Sequence, residues 1–200
     1  MAVTPGALVI LDKDGTLLRD VPYNVDPARM ELAPGAAEGL VMLRDQGYRV
    51  AVASDQSGVA RGLFPEAALA DVERRLRELM AGIGVPLAGF HYCPHHPRGE
   101  VERYRLRCIC RKPAPGLVQQ ALAFHGARPS ESWMVGNILD DVEAGRRASC
   151  RTVLVSGGET RWLPGLFRIP DYVVSDLAAA ARVIVAHDRL AAGRTRTRAE

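Results

Sequence analysis

The chain has no apolar run of about 20 residues, the length needed to cross a bilayer. It also lacks a strong excess of charge of either sign. Lys plus Arg number 26 against 23 Asp plus Glu, a net +3. So small an excess argues against a nucleic-acid or membrane partner. Part of it lies in Arg194, Arg196 and Arg198, where a disordered basic tail over residues 191–200 is expected. The opening MAVTPGALVILDKDG has no basic residue before its apolar stretch and two Asp just after it. That is a poor secretory leader and a good buried strand, so a cytoplasmic location is expected. Internal repeats, low-complexity segments and linkers are missing too. The remainder, about residues 1–190, is read as one domain acting as a monomer. With 200 residues, 48% of them hydrophobic, it can bury a sizeable core.

What is present is an alternation of strand and helix. Ala7 to Leu11 is a continuous apolar run of the kind buried on both faces of a sheet. Residues 36–47 have helical periodicity and a stop at Gly47. Further strands are predicted over 48–53, 90–92, 133–136, 151–155 and 172–174. Helices are predicted over 65–81, 115–125, 140–148 and 176–190. The fold class that follows is α/β: a Rossmann-like three-layer sandwich with a mainly parallel sheet. In such sheets ligands bind beyond the carboxyl ends of the strands, which would gather Asp12, Ser54 and Asn137 at one edge. Gly157-Gly158 reads as a turn, and Trp133 and Trp162 as packing groups. Arg146 and Arg147 read as a solvated helix face, and His91 and His125 as ordinary surface or satisfied histidines.

Asp12 and Asp14 stand one residue apart after an apolar strand, an arrangement costly to bury unpaired. A divalent cation would offset the repulsion. One carboxylate could then attack phosphorus while the other manages a proton. Gly15 permits a sharp turn and Thr16 can hold it. Taken alone, the same residues describe an ordinary Asp/Gly turn. The strand before them, together with the motifs further along the chain, favours the chemical reading.

The four cysteines are Cys93, Cys108, Cys110 and Cys150. Three of them crowd beside His95 and His96, in a loop of about twenty residues with little apolar content. Cys93 and His95 with Cys108 and Cys110 offer three thiolates and an imidazole, a set suited to tetrahedral Zn²⁺. Metal binding would replace the core that this loop (93–110) lacks. Cys150 lies outside the set and reads as a core thiol.

LDKDGTL resembles the first motif of the haloacid-dehalogenase-like (HAD) phosphatases. Ser54, Lys112 ahead of a helix, and Gly136-Asn137-Ile138-Leu139-Asp140-Asp141 match the second, third and fourth motifs in order. SDQSGVARG, YCPHHPRG, CICRKPAPG and MVGNILDD narrow the resemblance to the subfamily of heptose-bisphosphate and histidinol-phosphate phosphatases. The resemblance implies a Mg²⁺-dependent phosphatase acting on a small sugar phosphate, most simply heptose 1,7-bisphosphate. Histidinol phosphate or another small phosphate is the alternative. It also implies a small zinc loop in place of a large cap. Asp12 would be the nucleophile, Asp14 the acid and base, and Ser54 and Lys112 the phosphoryl ligands. Mg²⁺ would be held by Asp12, Asp14 and Asn137. Asp20, Tyr23, Asp55, Gln56, Ser57, Arg111 and Lys112 would contact substrate. Cys93, His95, Cys108 and Cys110 would hold structural Zn²⁺, with His96 the lesser candidate.

Three positions depart from that pattern. Asn137 stands where the family commonly has a magnesium-binding Asp, which predicts weaker Mg²⁺ binding; a phosphosugar-binding protein with little catalysis is the extreme form of this expectation. Asp55 stands where Asn is usual, and it or Asp141 could restore the lost charge. Ile138 stands where a basic residue can face the substrate.

Overall fold

The computed structural model describes residues 7–156 and 165–197, with side chains as far as 193. Gly157-Gly158 and Trp162 therefore lie outside the described residues. The strands are β1 (Leu8–Leu11), β2 (Arg49–Asp55), β3 (Leu87–Cys93), β4 (Trp133–Gly136), β5 (Arg151–Val155) and β6 (Tyr172–Val174). They form one sheet in the order β3-β2-β1-β4-β5-β6 with every pairing parallel. The helices are α1 (Ala36–Asp45), α2 (Ala68–Gly82), α3 (Gly116–His125), α4 (Leu139–Arg147) and α5 (Leu177–Thr197).

Side chains alternate across the sheet and build two cores. Val9, Leu11, Val50 and Val52 pack with Leu40, Leu43, Val72, Leu76 and Ile184, residues of α1, α2 and α5. Leu8, Ile10, Ala51 and Ala53 pack with Leu117, Val118, Ala121 and Ala144, residues of α3 and α4. These are the three layers predicted. Helix α5 is further pinned through Asp188, whose Oδ2 accepts from Tyr48 Oη at 2.6 Å and Trp133 Nε1 at 3.2 Å. Trp133 and Cys150 are buried, as expected of packing groups.

Several boundaries differ from expectation. Helix α5 runs to Thr197, beyond 190, so the helix continues into the segment expected to be a disordered tail. Strand β2 continues through Ser54 and Asp55 instead of stopping at residue 53. Strand β3 starts at Leu87 and reaches Cys93, paired to Asp55. Alternation on β3 buries Leu87, Gly89, His91 and Cys93 on one face. His91 is thus a buried residue, and its Nε2 has no partner.

The topology places the chemistry. From β1 the chain steps outward to β2 and β3, then returns to the other side of β1 with β4. Asp12 follows β1 and Asn137 follows β4, so both lie where the strand order reverses. Asp12 N–H donates to Val135 O at 2.9 Å and carries the β1–β4 ladder to the edge of this crevice.

Candidate active site

The turn after β1 is built on Gly15, at φ +78°. Leu18 N–H donates to Lys13 O at 2.8 Å, and Gly15 N–H to Leu18 O at 2.9 Å. A Cβ on Gly15 would meet the Asn137 amide nitrogen at 2.3 Å. Glycine here lets the Asn137 amide of the fourth motif lie directly against the first. Gly136 plays the matching part on the other side. A Cβ there would lie 2.2 Å from Asp141 Oδ2. Asp141 uses that space to fold back from the first turn of α4, and Ile138 N–H donates to its Oδ2 at 3.2 Å.

Lys112 joins the strand ends. Its Nζ donates to Asp12 Oδ1 at 2.6 Å and to Ala53 O at 3.0 Å, and lies 2.5 Å from Asp141 Oδ1. The ammonium is buried, as is Asp141. Burial works against a charged Lys112, but Asp12 and Asp141 outweigh it and hold its pKa above the usual lysine range. Two carboxylates share one ammonium, so one negative charge is left over. Burial, with Asp12 adding to it, pushes the Asp141 carboxyl up to about 7.

Asp14 has its own cation. Lys13, only 1% exposed, donates to Asp14 Oδ1 at 2.7 Å. Burial raises the Asp14 pKa and Lys13 partly opposes it. Ser54 is buried, and its Oγ accepts from Gln56 Nε2 at 2.8 Å. Asp55 accepts from Lys112 N–H at 3.3 Å and faces Arg111 Nη1 at 3.5 Å. Burial raises its pKa against the pull of those two cations.

The structure thus brings Asp12, Asp55, Lys112 and Asp141 together, with Asp14 on the adjoining turn after β1 and Asn137, after β4, against that turn. Ser57 is half-buried on the turn after β2, and its carbonyl accepts from Arg61 N–H at 3.0 Å. Asp20 and Tyr23 are exposed on the loop after β1. Tyr23 sits at φ +53° beneath Arg61, whose Cζ is 5.9 Å from the ring centroid. Sequence reasoning gave no role to Lys13 and missed the Asp141–Lys112 pair. A lysine inside an Asp-x-Asp motif was the available signal for the first.

The second cluster is continuous with this edge. Cys93 at the end of β3, His95, Cys108 and Cys110 present ligand atoms within 4.8 Å of one another. Five of the separations lie between 2.8 and 3.7 Å, with His95 directing Nδ1 inward. A zinc–sulfur tetrahedron has edges of about 3.8 Å, so the donors need little movement to hold a metal of that size. Burial raises the pKa values of the Cys93 and Cys110 thiols, that of Cys110 to about 11. His96 is set apart: its Nδ1 accepts from Arg98 N–H at 3.1 Å, and its Nε2 faces Arg61. All four cysteines are free thiols.

Residues 109–180 match the HAD-hydrolase-like family model. The chain is 36% identical over 177 residues to D-glycero-beta-D-manno-heptose-1,7-bisphosphate 7-phosphatase of Escherichia coli O6:H1, covering 88% of this chain and 93% of that one. It belongs to the HAD-like phosphatases. Within that family, the crystal structure of the D,D-heptose 1,7-bisphosphate phosphatase of B. bronchiseptica, complexed with magnesium and phosphate, matches with TM-score 0.73. It is 29% identical, with 90% of this chain and 99% of that chain covered. A HAD-like phosphatase structure from Mesorhizobium loti matches at 0.77 and 30%, with 92% and 90% covered.

Proposed function

We propose that this HAD-like phosphatase removes the 7-phosphate from D-glycero-D-manno-heptose 1,7-bisphosphate. The observation that carries the reaction class is the meeting of Asp12, Lys112 and Asp141 at the sheet's reversal point, with Asp14 one turn away. The sugar comes from the relatives, which are named for it.

In this reading an oxygen of Asp12 attacks phosphorus and the bond to the sugar oxygen breaks. Asp14, whose raised pKa favours the protonated form, gives its proton to the departing oxygen. Water then attacks the phospho-aspartate and loses a proton to Asp14, and inorganic phosphate leaves with Asp12 restored. The Lys112 ammonium, 2.6 Å from Asp12 Oδ1, stands where a phosphoryl group on Asp12 would carry its negative charge. Ser54 would donate its hydroxyl to the same group. Asp55 and Asp141 act as counter-charges to Arg111 and Lys112, not as substitutes for a carboxylate at 137.

Asp12, the Asp14 carbonyl and the Asn137 amide oxygen would hold Mg²⁺. The donors are hard oxygens, and Asn137 lies directly against Gly15 of the motif turn, so the set fits. When bound, the cation neutralises phosphoryl charge. With an amide at 137 the set has one negative charge fewer, and weaker Mg²⁺ affinity follows. Cys93, His95, Cys108 and Cys110 would hold Zn²⁺ in a closed, structural site.

The test is phosphate release from a panel of heptose bisphosphate anomers, histidinol phosphate and other small phosphomonoesters, with and without Mg²⁺. Asp12→Asn should lower turnover by about 10⁴-fold. Equal release by Asp12→Asn and the wild type would remove the proposal.

A further inference from the structure

Only two of the chain's 26 Lys and Arg residues are lysines, Lys13 and Lys112, and both are buried at this edge of the sheet. Lys112 is met by Asp12, Asp141 and the Ala53 carbonyl. Lys13, which the mechanism above does not use, has a different partner. Its Nζ donates to Asp14 Oδ1 at 2.7 Å. A buried ammonium is costly unless a counter-charge answers it, so this contact is one the fold must keep. Among the described residues, no other group donates to the Asp14 carboxyl. The Asp14 side chain is 34% exposed, so the carboxyl is open to solvent and Lys13 is not. One carboxyl oxygen thus faces a buried cation, and the other, Oδ2, is left without a donor from the described residues.

An ammonium carries N–H donors and no acceptor. A proton on Asp14 Oδ1 would point hydrogen at hydrogen, so the acid form must carry its proton on Oδ2. The ionised form keeps the same contact at Oδ1, now charge-assisted on both sides. We infer that Lys13 is a positioning residue that pins Asp14 by Oδ1 and confines the travelling proton to Oδ2. This rests on the phosphatase reading above and deepens it. In the first step the O–H bond at Oδ2 breaks, the proton passes to the departing sugar oxygen, and the electron pair stays on Asp14. In the second, the attacking water bonds to phosphorus through its oxygen and gives a proton back to Oδ2. The Lys13 N–H bonds stay intact throughout. A carboxyl held by one oxygen presents the other in a fixed direction, and that orientation is what proton transfer needs. If Lys13 instead gripped the transferring phosphoryl group, or only held the turn, its loss would slow every phosphomonoester alike. A role in placing the proton is felt only by esters whose alcohol needs one to leave.

The experiment measures release of the alcohol in a first turnover, with enzyme in excess and Mg²⁺ present. Its substrates are D-glycero-D-manno-heptose 1,7-bisphosphate and p-nitrophenyl phosphate. Nitrophenolate departs without a proton, whereas a sugar alkoxide does not. In Lys13→Met the ratio of the heptose rate to the nitrophenyl rate should fall by about 10–100-fold from the wild-type value, and Lys13→Arg, which keeps a donor-only cation, should recover part of it. Lys13→Leu repeats the comparison should Lys13→Met not fold. A ratio within about threefold of wild type in the folded variant overturns the assignment, whether both rates fall together or neither falls. Asp14→Asn, run alongside, keeps the two failures apart. If Asp14→Asn lowers the ratio and the Lys13 variants do not, the positioning role is lost and the phosphatase reading stands. If Asp14→Asn leaves the ratio unchanged, Asp14 is not the acid, and the reading of the site falls together with the role of Lys13.

Discussion

The two clusters that meet at Cys110-Arg111-Lys112 are held together by opposite means. The carboxylate site rests on parallel strands, and its geometry comes from the ladder: Asp12 still bonds to β4 and Asp55 is still paired to Cys93. Its parts are charged and buried, and Asp12 and Asp141 meet at Lys112. The thiol cluster begins on β3, but its other ligands sit on an irregular loop with one short 3-10 turn, Glu102–Tyr104. There the donors must fix the backbone, because the backbone does not fix the donors. The comparison teaches that Lys112 belongs to both. Its ammonium answers to the sheet and its backbone follows directly from a metal-loop cysteine.

The largest effect that would sharpen this contrast is loss of the metal. With Zn²⁺ held by the thiol cluster as proposed, Cys110→Ser should contain less than the one equivalent of Zn²⁺ expected of the purified wild type and turn over about 100-fold more slowly, because Lys112 loses its anchor. Full activity in a variant shown to be metal-free would break the dependence. Next is Asp141→Asn. A carboxyl raised from the usual value to about 7 in the folded protein favours the folded state most at low pH, and that advantage is lost as pH rises towards 7. The fall in stability between about pH 4 and 7, followed by denaturant unfolding, should therefore be shallower in Asp141→Asn. An unchanged slope would assign the pH dependence elsewhere. Asn137→Asp should restore a charge to the oxygen site and lower the Mg²⁺ concentration for half-activation by about tenfold. An identical magnesium titration would show that position 137 does not meet the metal. The smallest effect concerns the loop's polar anchor. Glu66 accepts from Tyr104 Oη at 2.5 Å and from Tyr92 Oη at 3.2 Å, tying loop to strand. Tyr104→Phe should cost about 1–2 kcal/mol in unfolding free energy with the metal retained. No change in the melting curve would mean that the Glu66 contacts do not hold the loop.

The sheet was readable because five of its strands are short apolar runs and the helices between them carry clear periodicity. Its chemistry was readable where it depended on strand ends: Asp12 and Asn137 follow from the topology alone, and Ser54 lies one residue inside β2. What could not be read depended on which way a side chain turns. Asp141 reaches Lys112 only because Gly136 leaves room for it, and nothing in GNILDD shows that return. Lys13 could equally have faced solvent. His96 looked like the lesser metal candidate, and its ring turns instead to the Arg98 backbone N–H and to Arg61. Helix α5 extends past residue 190 to Thr197, into Arg-rich composition that reads in sequence as a tail.

The Lys112–Asp12 bond spans 100 positions of sequence, and Asp141 lies further along still. Such contacts close late, after the loops between them have been ordered. A chain emerging from synthesis would therefore finish β1, β2 and β3 while its nucleophile still lacked a cation. Only when β4 slots beside β1 do Asn137 and Asp141 reach the Asp12–Lys112 pair. Catalytic competence is thus a report on completed assembly. A phosphate-release assay taken during refolding should lag behind the return of helical signal, and the length of that lag would time the last crossing of the chain.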